Sequence, residues 1–166
     1  MAIDHRSTVE TFLRALQSMA FCFHGTIGLL ENFLGFVQGI FGDEHMTMPK
    51  WFWPTAGLLL WTMAALNWSP NPAVVLCAQT YICAFHMGGF FYHQRLGHLW
   101  FLGLLPAAIA VVSFFIVGIR IQSYGIAFAG WLACTLVAFQ LSKVLVKPPP
   151  STGASELSPT SNLLGS

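Results

Sequence analysis

Charge is what this sequence has least of. Only 8% of its 166 residues are Asp, Glu, Lys or Arg, whereas a soluble domain usually carries about a quarter. The seven basic and six acidic residues give a net charge of +1. No basic run is long enough to follow a phosphate backbone, which argues against nucleic-acid binding. Because 55% of the residues are hydrophobic, we predict an integral membrane protein whose first partner is the lipid bilayer.

Recognisable catalytic motifs are also missing, including phosphate-binding glycine loops and hydrolase nucleophile elbows. The cysteines lie in apolar stretches and form no Cys-x-x-Cys pair, which argues against a zinc site and against a secreted disulfide framework. We interpret them as small buried hydrophobic residues. They are Cys22, Cys77, Cys83 and Cys134. These absences favour a non-enzymatic protein without a catalytic residue or a metal site.

Long apolar segments dominate what is present. A bilayer core about 30 Å thick needs roughly 20 mostly apolar helical residues. Short links with turn residues join five such segments, so consecutive helices are expected to be antiparallel. We predict an all-α, polytopic membrane helical bundle over 15–147, with a polar segment over 1–14 and a disordered Pro/Ser-rich tail over 148–166. The predicted spans are about 15–41, 51–67, 73–94, 99–119 and 124–146.

Polar residues recur at intervals of seven within the first and third apolar segments. A seven-residue interval places side chains on one face of a helix. Ionisable residues inside a membrane usually face the bundle interior and have partners. We therefore expect Glu31 to contact His86 at similar depth, and His24 to lie near Gln79. The predicted buried polar stripes are His24, Glu31 and Gln38 on the first helix, and Gln79, His86 and His93 on the third.

These stripes have two interpretations. We favour interhelical hydrogen bonds that hold the bundle in register. Alternatively, membrane histidines ligate haem iron or chlorophyll magnesium, and His24, His86 and His93 would then be the tetrapyrrole ligands. Because His86 and His93 lie about 10.5 Å apart along one helix, they cannot bind one metal from the same side. We predict no cofactor, with quinone, haem or chlorophyll as the alternative.

Two motifs resemble the DoxX-like family of small membrane proteins. One is the run FHGTIGL over 23–29, and the other is FHMGGFFYHQRLGH over 85–98. A similar order of motifs is found in the eukaryotic branch that includes a nicotinic-receptor assembly chaperone. The resemblance covers about residues 15–119 and implies a four-helix core, to which 124–146 adds a fifth, C-terminal span. It implies roles that range from a subunit of bacterial quinone-linked oxidoreductases to an assembly chaperone.

Three functions are compatible with the sequence. We favour an accessory or assembly subunit, or chaperone, of a larger membrane complex, whose partners are other membrane protein subunits. The first alternative is a redox subunit that handles quinone, haem or pigment through the polar stripes. The second is a small transporter that uses the same stripes. The protein is expected to be multi-pass, and the sequence leaves orientation and compartment open, with organellar and endoplasmic reticulum membranes both compatible.

Overall fold

Five α-helices make up the part of the protein that the structure describes. The computed structural model describes residues 5–35 and 48–146, and within them the fold is all-helical, which confirms the predicted all-α membrane helical bundle. Gln38 and the predicted tail over 148–166 lie outside the described residues. The helices are α1 (His5–Leu34), α2 (Phe52–Leu66), α3 (Pro72–Arg95), α4 (Trp100–Ile121) and α5 (Tyr124–Leu145).

Three of the described helices, α3, α4 and α5, are long and apolar enough to cross a membrane. Helix α2 is apolar, but its 15 residues rise only about 22 Å, less than the roughly 30 Å of a bilayer core. Helix α1 has 30 residues, and its first half carries Glu10 and Arg14. Length and composition thus support a membrane protein, whereas the count of five crossings stays a prediction.

Capping residues set where α3 and α5 begin. The Asn71 side chain accepts a hydrogen bond from the Ala73 backbone N–H at 2.9 Å. Pro72 occupies the first helical position, where its missing N–H leaves no donor unpaired. At α5, the Ser123 hydroxyl accepts from the Ile126 N–H at 3.4 Å. Both helices therefore begin within one residue of their predicted starts.

Helix α1 differs most from the prediction. It begins at His5, so most of the predicted polar segment 1–14 is helical. It ends at Leu34 because Gly35 adopts a φ of 55°, the left-handed conformation that commonly follows a helix. The predicted end of the first span, at residue 41, lies outside the described residues. Residues 36–47 lie outside the described part of the chain.

The bundle is assembled from two groups of helices. Helix α1 packs along α2, while α3 packs against both α4 and α5. The two groups meet through contacts of α1 with α4 and of α2 with α3, and the described Cα atoms of α1 and α3 stay more than 8 Å apart. Buried apolar side chains, both large and small, pack between the two groups of helices. This core consists of Phe21, Leu60, Ala64, Ala78, Ile82 and Ile109.

Glycines bring α1 and α2 into backbone contact. A Cβ added to Gly57 of α2 would lie 2.5 Å from the Gly25 carbonyl oxygen and 2.8 Å from the Leu29 nitrogen. A Cβ added to Gly28 would lie 2.9 Å from the Trp53 carbonyl oxygen. Small residues permit such close helix approach in membrane bundles. The glycines thus hold α1 against α2, and the opposite side of α1 faces α3 and α4.

Candidate functional site

Four buried polar side chains from four helices form a hydrogen-bonded group, which we name the amide cluster. Its members are Gln17 of α1, Asn67 at the end of α2, Gln79 of α3 and Ser113 of α4. None of them is more than 2% exposed. Amide side chains carry both donors and acceptors, so they can satisfy one another where water is excluded.

Gln79 lies at the centre of the amide cluster. Its Nε2 donates to Gln17 Oε1 and to Asn67 Oδ1, in both cases at 2.7 Å. Gln17 Nε2 donates to Gln79 Oε1 at 3.2 Å and to Ser113 Oγ at 2.8 Å. Asn67 Nδ2 donates to Gln17 Oε1 at 3.3 Å. Each of the three amide oxygens therefore accepts at least one hydrogen bond from within the cluster.

An ionic cluster adjoins the amide cluster near the ends of α2 and α4. Arg14 Nε donates to the Asn67 carbonyl oxygen at 2.8 Å, and the Arg14 guanidinium lies 3.5 Å from the Glu10 carboxylate. Arg120 Nε donates to Glu10 Oε1 at 2.9 Å. These contacts tie the first half of α1 to the ends of α2 and α4.

Farther along the bundle, four histidines lie in two pairs, which we name the histidine group. His86 of α3 is 1% exposed, and the more exposed His24 of α1 faces it edge-on with ring centroids 6.1 Å apart. In the second pair, the Nδ1 atoms of His93 and His98 are 2.8 Å apart. No set of three or more His, Cys, Asp or Glu residues suited to a metal ion occurs within residues 5–35 and 48–146.

Hydrogen bonding fixes the tautomer of His86. Its Nδ1 lies 2.8 Å from the Ile82 carbonyl oxygen, and because a carbonyl only accepts, Nδ1 carries the hydrogen. Nε2 is then an acceptor, and it is buried with no hydrogen-bond partner in the described chain. Metal-ligating histidines often have this arrangement, with one nitrogen bonded to a backbone carbonyl. His86 Nε2 is therefore a buried nitrogen whose lone pair is available to accept a hydrogen bond or to ligate a metal ion.

The structure pairs the polar residues of α1 and α3 differently from the prediction. Gln79 binds Gln17 rather than His24, and His24 lies beside His86. Gln17 and Gln79 are 62 positions apart, and the same offset joins His24 to His86 (86 − 24 = 62). The predicted pairing of Glu31 with His86 implied an offset of 55 (86 − 31 = 55). It was wrong by seven residues, about two helical turns, because it counted depth from the predicted span starts, whereas the hydrogen bonds of Gln17 with Gln79 set the register of α1 against α3.

Glu31 is buried, at 3% exposed, but it does not form the expected hydrogen bond with His86. The Nδ1 of His86 binds Ile82 and its Nε2 has no hydrogen-bond partner among the described residues. By the observed offset, Glu31 lies at the level of His93 (93 − 31 = 62). The third residue of the predicted α1 stripe, Gln38, lies outside the described residues.

No protein-family model matches this chain, and no curated protein or solved structure is detectably similar to it. The resemblance to the DoxX-like family therefore stays a prediction. It depends on the motifs over 23–29 and 85–98, and these motifs meet in the structure. The ring of His24 lies 6.3 Å from that of Phe85 and 6.1 Å from that of His86.

Sequence reasoning missed three members of the amide cluster. Gln17 lies seven residues before His24 and therefore continues the α1 stripe, so the interval of seven could have identified it. Asn67 ends α2 beside a turn, and Ser113 is an isolated polar residue in an apolar helix. Neither of these two residues belongs to a polar stripe like those of α1 and α3.

Proposed function

We propose that the protein is a non-enzymatic accessory or assembly subunit of a larger membrane complex. In this proposal the chain crosses the membrane five times, and α5 packs against a transmembrane helix of another subunit. The observation that carries the proposal is the composition of the outward face of α5.

Small residues follow one another along that face. Gly125, Ala129 and Ala133 recur every four residues, and all three are exposed. A Cβ added to Gly125 would meet no atom within 4 Å. The same face carries Gln140, which is exposed. Small residues let a second helix approach closely, and an amide facing lipid gains a hydrogen bond when a partner helix supplies one. This face therefore fits a transmembrane helix that carries a polar side chain able to hydrogen-bond Gln140.

The interior of the bundle supports the same function. The amide cluster satisfies its acceptors internally, as expected of hydrogen bonds that hold four helices in register. The apolar surface of α5 is extensive, with Ile126, Leu136 and Val137 each more than half exposed. The predicted resemblance to the DoxX-like family, which includes an assembly chaperone, favours a role of this class.

The proposal is tested by substitution on the outward face of α5. Ala129→Leu adds bulk at the small-residue stripe, and Gln140→Leu removes the exposed amide. Leu132→Ile is the matched control, because it keeps the volume of a neighbouring exposed side chain. After purification in mild detergent, a stoichiometric membrane partner should accompany the wild type and the control but not Ala129→Leu or Gln140→Leu. All four proteins should unfold at the same temperature. Retention of the partner by both variants would contradict the proposal.

A second candidate function, a redox subunit that handles a cofactor, is favoured by the free Nε2 of His86 beside His24. A lone pair at Nε2 fits a metal ion, whereas a quinone carbonyl needs a donor that this nitrogen lacks in the observed tautomer. The His86 ring stacks on Phe21 with centroids 5.0 Å apart.

The absorption spectrum of the purified protein distinguishes the two functions. A Soret band that scales with protein, disappears in His86→Ala and persists in His98→Ala would support the redox subunit. A colourless protein with a stoichiometric partner chain would support the accessory subunit. His98 is a suitable control because it belongs to the other histidine pair.

A further inference from the structure

We propose that Cys83 and Cys134 form a redox-sensitive dithiol, in which a membrane-soluble peroxide closes a disulfide between α3 and α5. The two residues are 51 positions apart (134 − 83 = 51), so their proximity is a product of the fold. The inference is independent of the proposed function.

The packing of α3 against α5 brings the two thiols together. Cys83 is 4% exposed and belongs to a buried cluster with Met87 and Ala138, against which Cys134 packs. Cys134 Sγ also lies 3.9 Å from the carbonyl oxygen of Thr80, one turn before Cys83. Two independent contacts thus place the sulfur of Cys134 on the face of α3 that carries Cys83.

The difference in burial sets the order of the reaction. Cys134 is half-buried and Cys83 is buried, so a lipophilic hydroperoxide reaches Cys134 first. The O–O bond breaks, the hydroxyl oxygen joins Sγ to give a sulfenic acid, and the thiol proton leaves with the alcohol. Cys83 Sγ then attacks Cys134 Sγ. The S–S bond forms, the S–O bond breaks, and the hydroxyl leaves as water with the Cys83 proton. Two thiols lose two electrons in total, and the peroxide gains them.

Closure of this disulfide would change how α5 is held. In the described chain, α5 packs only against α3 and α4. A covalent bond to α3 fixes its position without altering its outward face. Oxidised protein should therefore unfold at a higher temperature than reduced protein.

The test uses the full chain in lipid nanodiscs, treated with tert-butyl hydroperoxide. Free thiols are then alkylated in denaturant, and the peptides are identified by mass spectrometry. We expect the alkylated thiols to fall from four, the number of cysteines in the chain, to about two, as the disulfide model requires. A linked pair of peptides containing Cys83 and Cys134 should appear, and a reducing agent should restore all four thiols.

Matched variants make the result specific. Cys134→Ser and Cys134→Ala should abolish the linked pair, whereas Cys77→Ser, which changes an exposed cysteine on α3, should retain it. The thermal unfolding of each variant before oxidation shows that its fold is intact. The proposal is overturned if four thiols survive the peroxide, if Cys83 or Cys134 links to Cys22 or Cys77, or if the linkage joins two copies of the chain.

Discussion

Replacing Gln79 with leucine tests the structural role of the amide cluster. Leucine has a similar volume but cannot make the three hydrogen bonds that join Gln79 to Gln17 and Asn67. Three interhelical bonds at about 0.6 kcal/mol each amount to about 2 kcal/mol. Asn67 Oδ1 would lose its donor, and burying an unpaired acceptor costs a further 1 to 3 kcal/mol, roughly. We expect Gln79→Leu to lower the free energy of unfolding by about 3 to 5 kcal/mol.

The assay is unfolding of the purified protein in mixed micelles of rising sodium dodecyl sulfate content, followed by circular dichroism. Gln140→Leu is the control, because this exposed change on α5 should cost less than about 0.5 kcal/mol. Gln17→Leu should also destabilise, and the double variant should lose less than the sum of the two single losses. The reasoning is refuted if Gln79→Leu lowers the free energy of unfolding no more than Gln140→Leu does. It is also refuted if the loss in the double variant equals the sum of the losses in Gln17→Leu and Gln79→Leu.

Three further predictions concern helix packing, the ionic cluster and topology. Gly57→Ala should lower the free energy of unfolding by about 1 to 3 kcal/mol through overpacking. Gly88→Ala is the control, because a Cβ added there meets no atom within 4 Å. Equal unfolding temperatures for the two variants would contradict this prediction. Glu10→Gln should cost about 1 kcal/mol by breaking the pair with Arg120, and less at 1 M salt; a loss that does not change with salt in micelle unfolding would count against the ion pair. Tags at residues 2 and 166 should be reached by protease from opposite sides of the membrane, and access from one side would disprove five crossings.

The sequence predicted the regular helices well where local residues set their ends. The Asn71-Pro72 pair and Ser123 are capping signals that act within one turn, and α3 and α5 begin where these residues indicate. The end of α1 is also set by a local residue, Gly35, inside an apolar run that hydropathy does not divide. The apolar run continues past Gly35, so hydropathy extends the helix. Only the left-handed backbone at Gly35 ends it.

The candidate site was less predictable, because its contacts join helices whose relative register is set by side-chain chemistry. The seven-residue spacing of Gln79 and His86 correctly places both side chains on one face of α3. It does not say which residue of α1 lies opposite, and the hydrogen bonds of Gln17 with Gln79 decide that. Cys83 and Cys134 lie on different helices and share no periodic signal, so only the fold reveals that they meet.

Site-specific photo-crosslinking in intact membranes tests the proposed function most directly. A photoreactive residue replaces Ala129 on the outward face of α5 or, as the control, Leu58, which is 60% exposed on α2. The account predicts that position 129 cross-links to one defined membrane protein chain and that position 58 does not. Cross-links from position 129 to lipid alone, or the same mixture of chains from both positions, would contradict it.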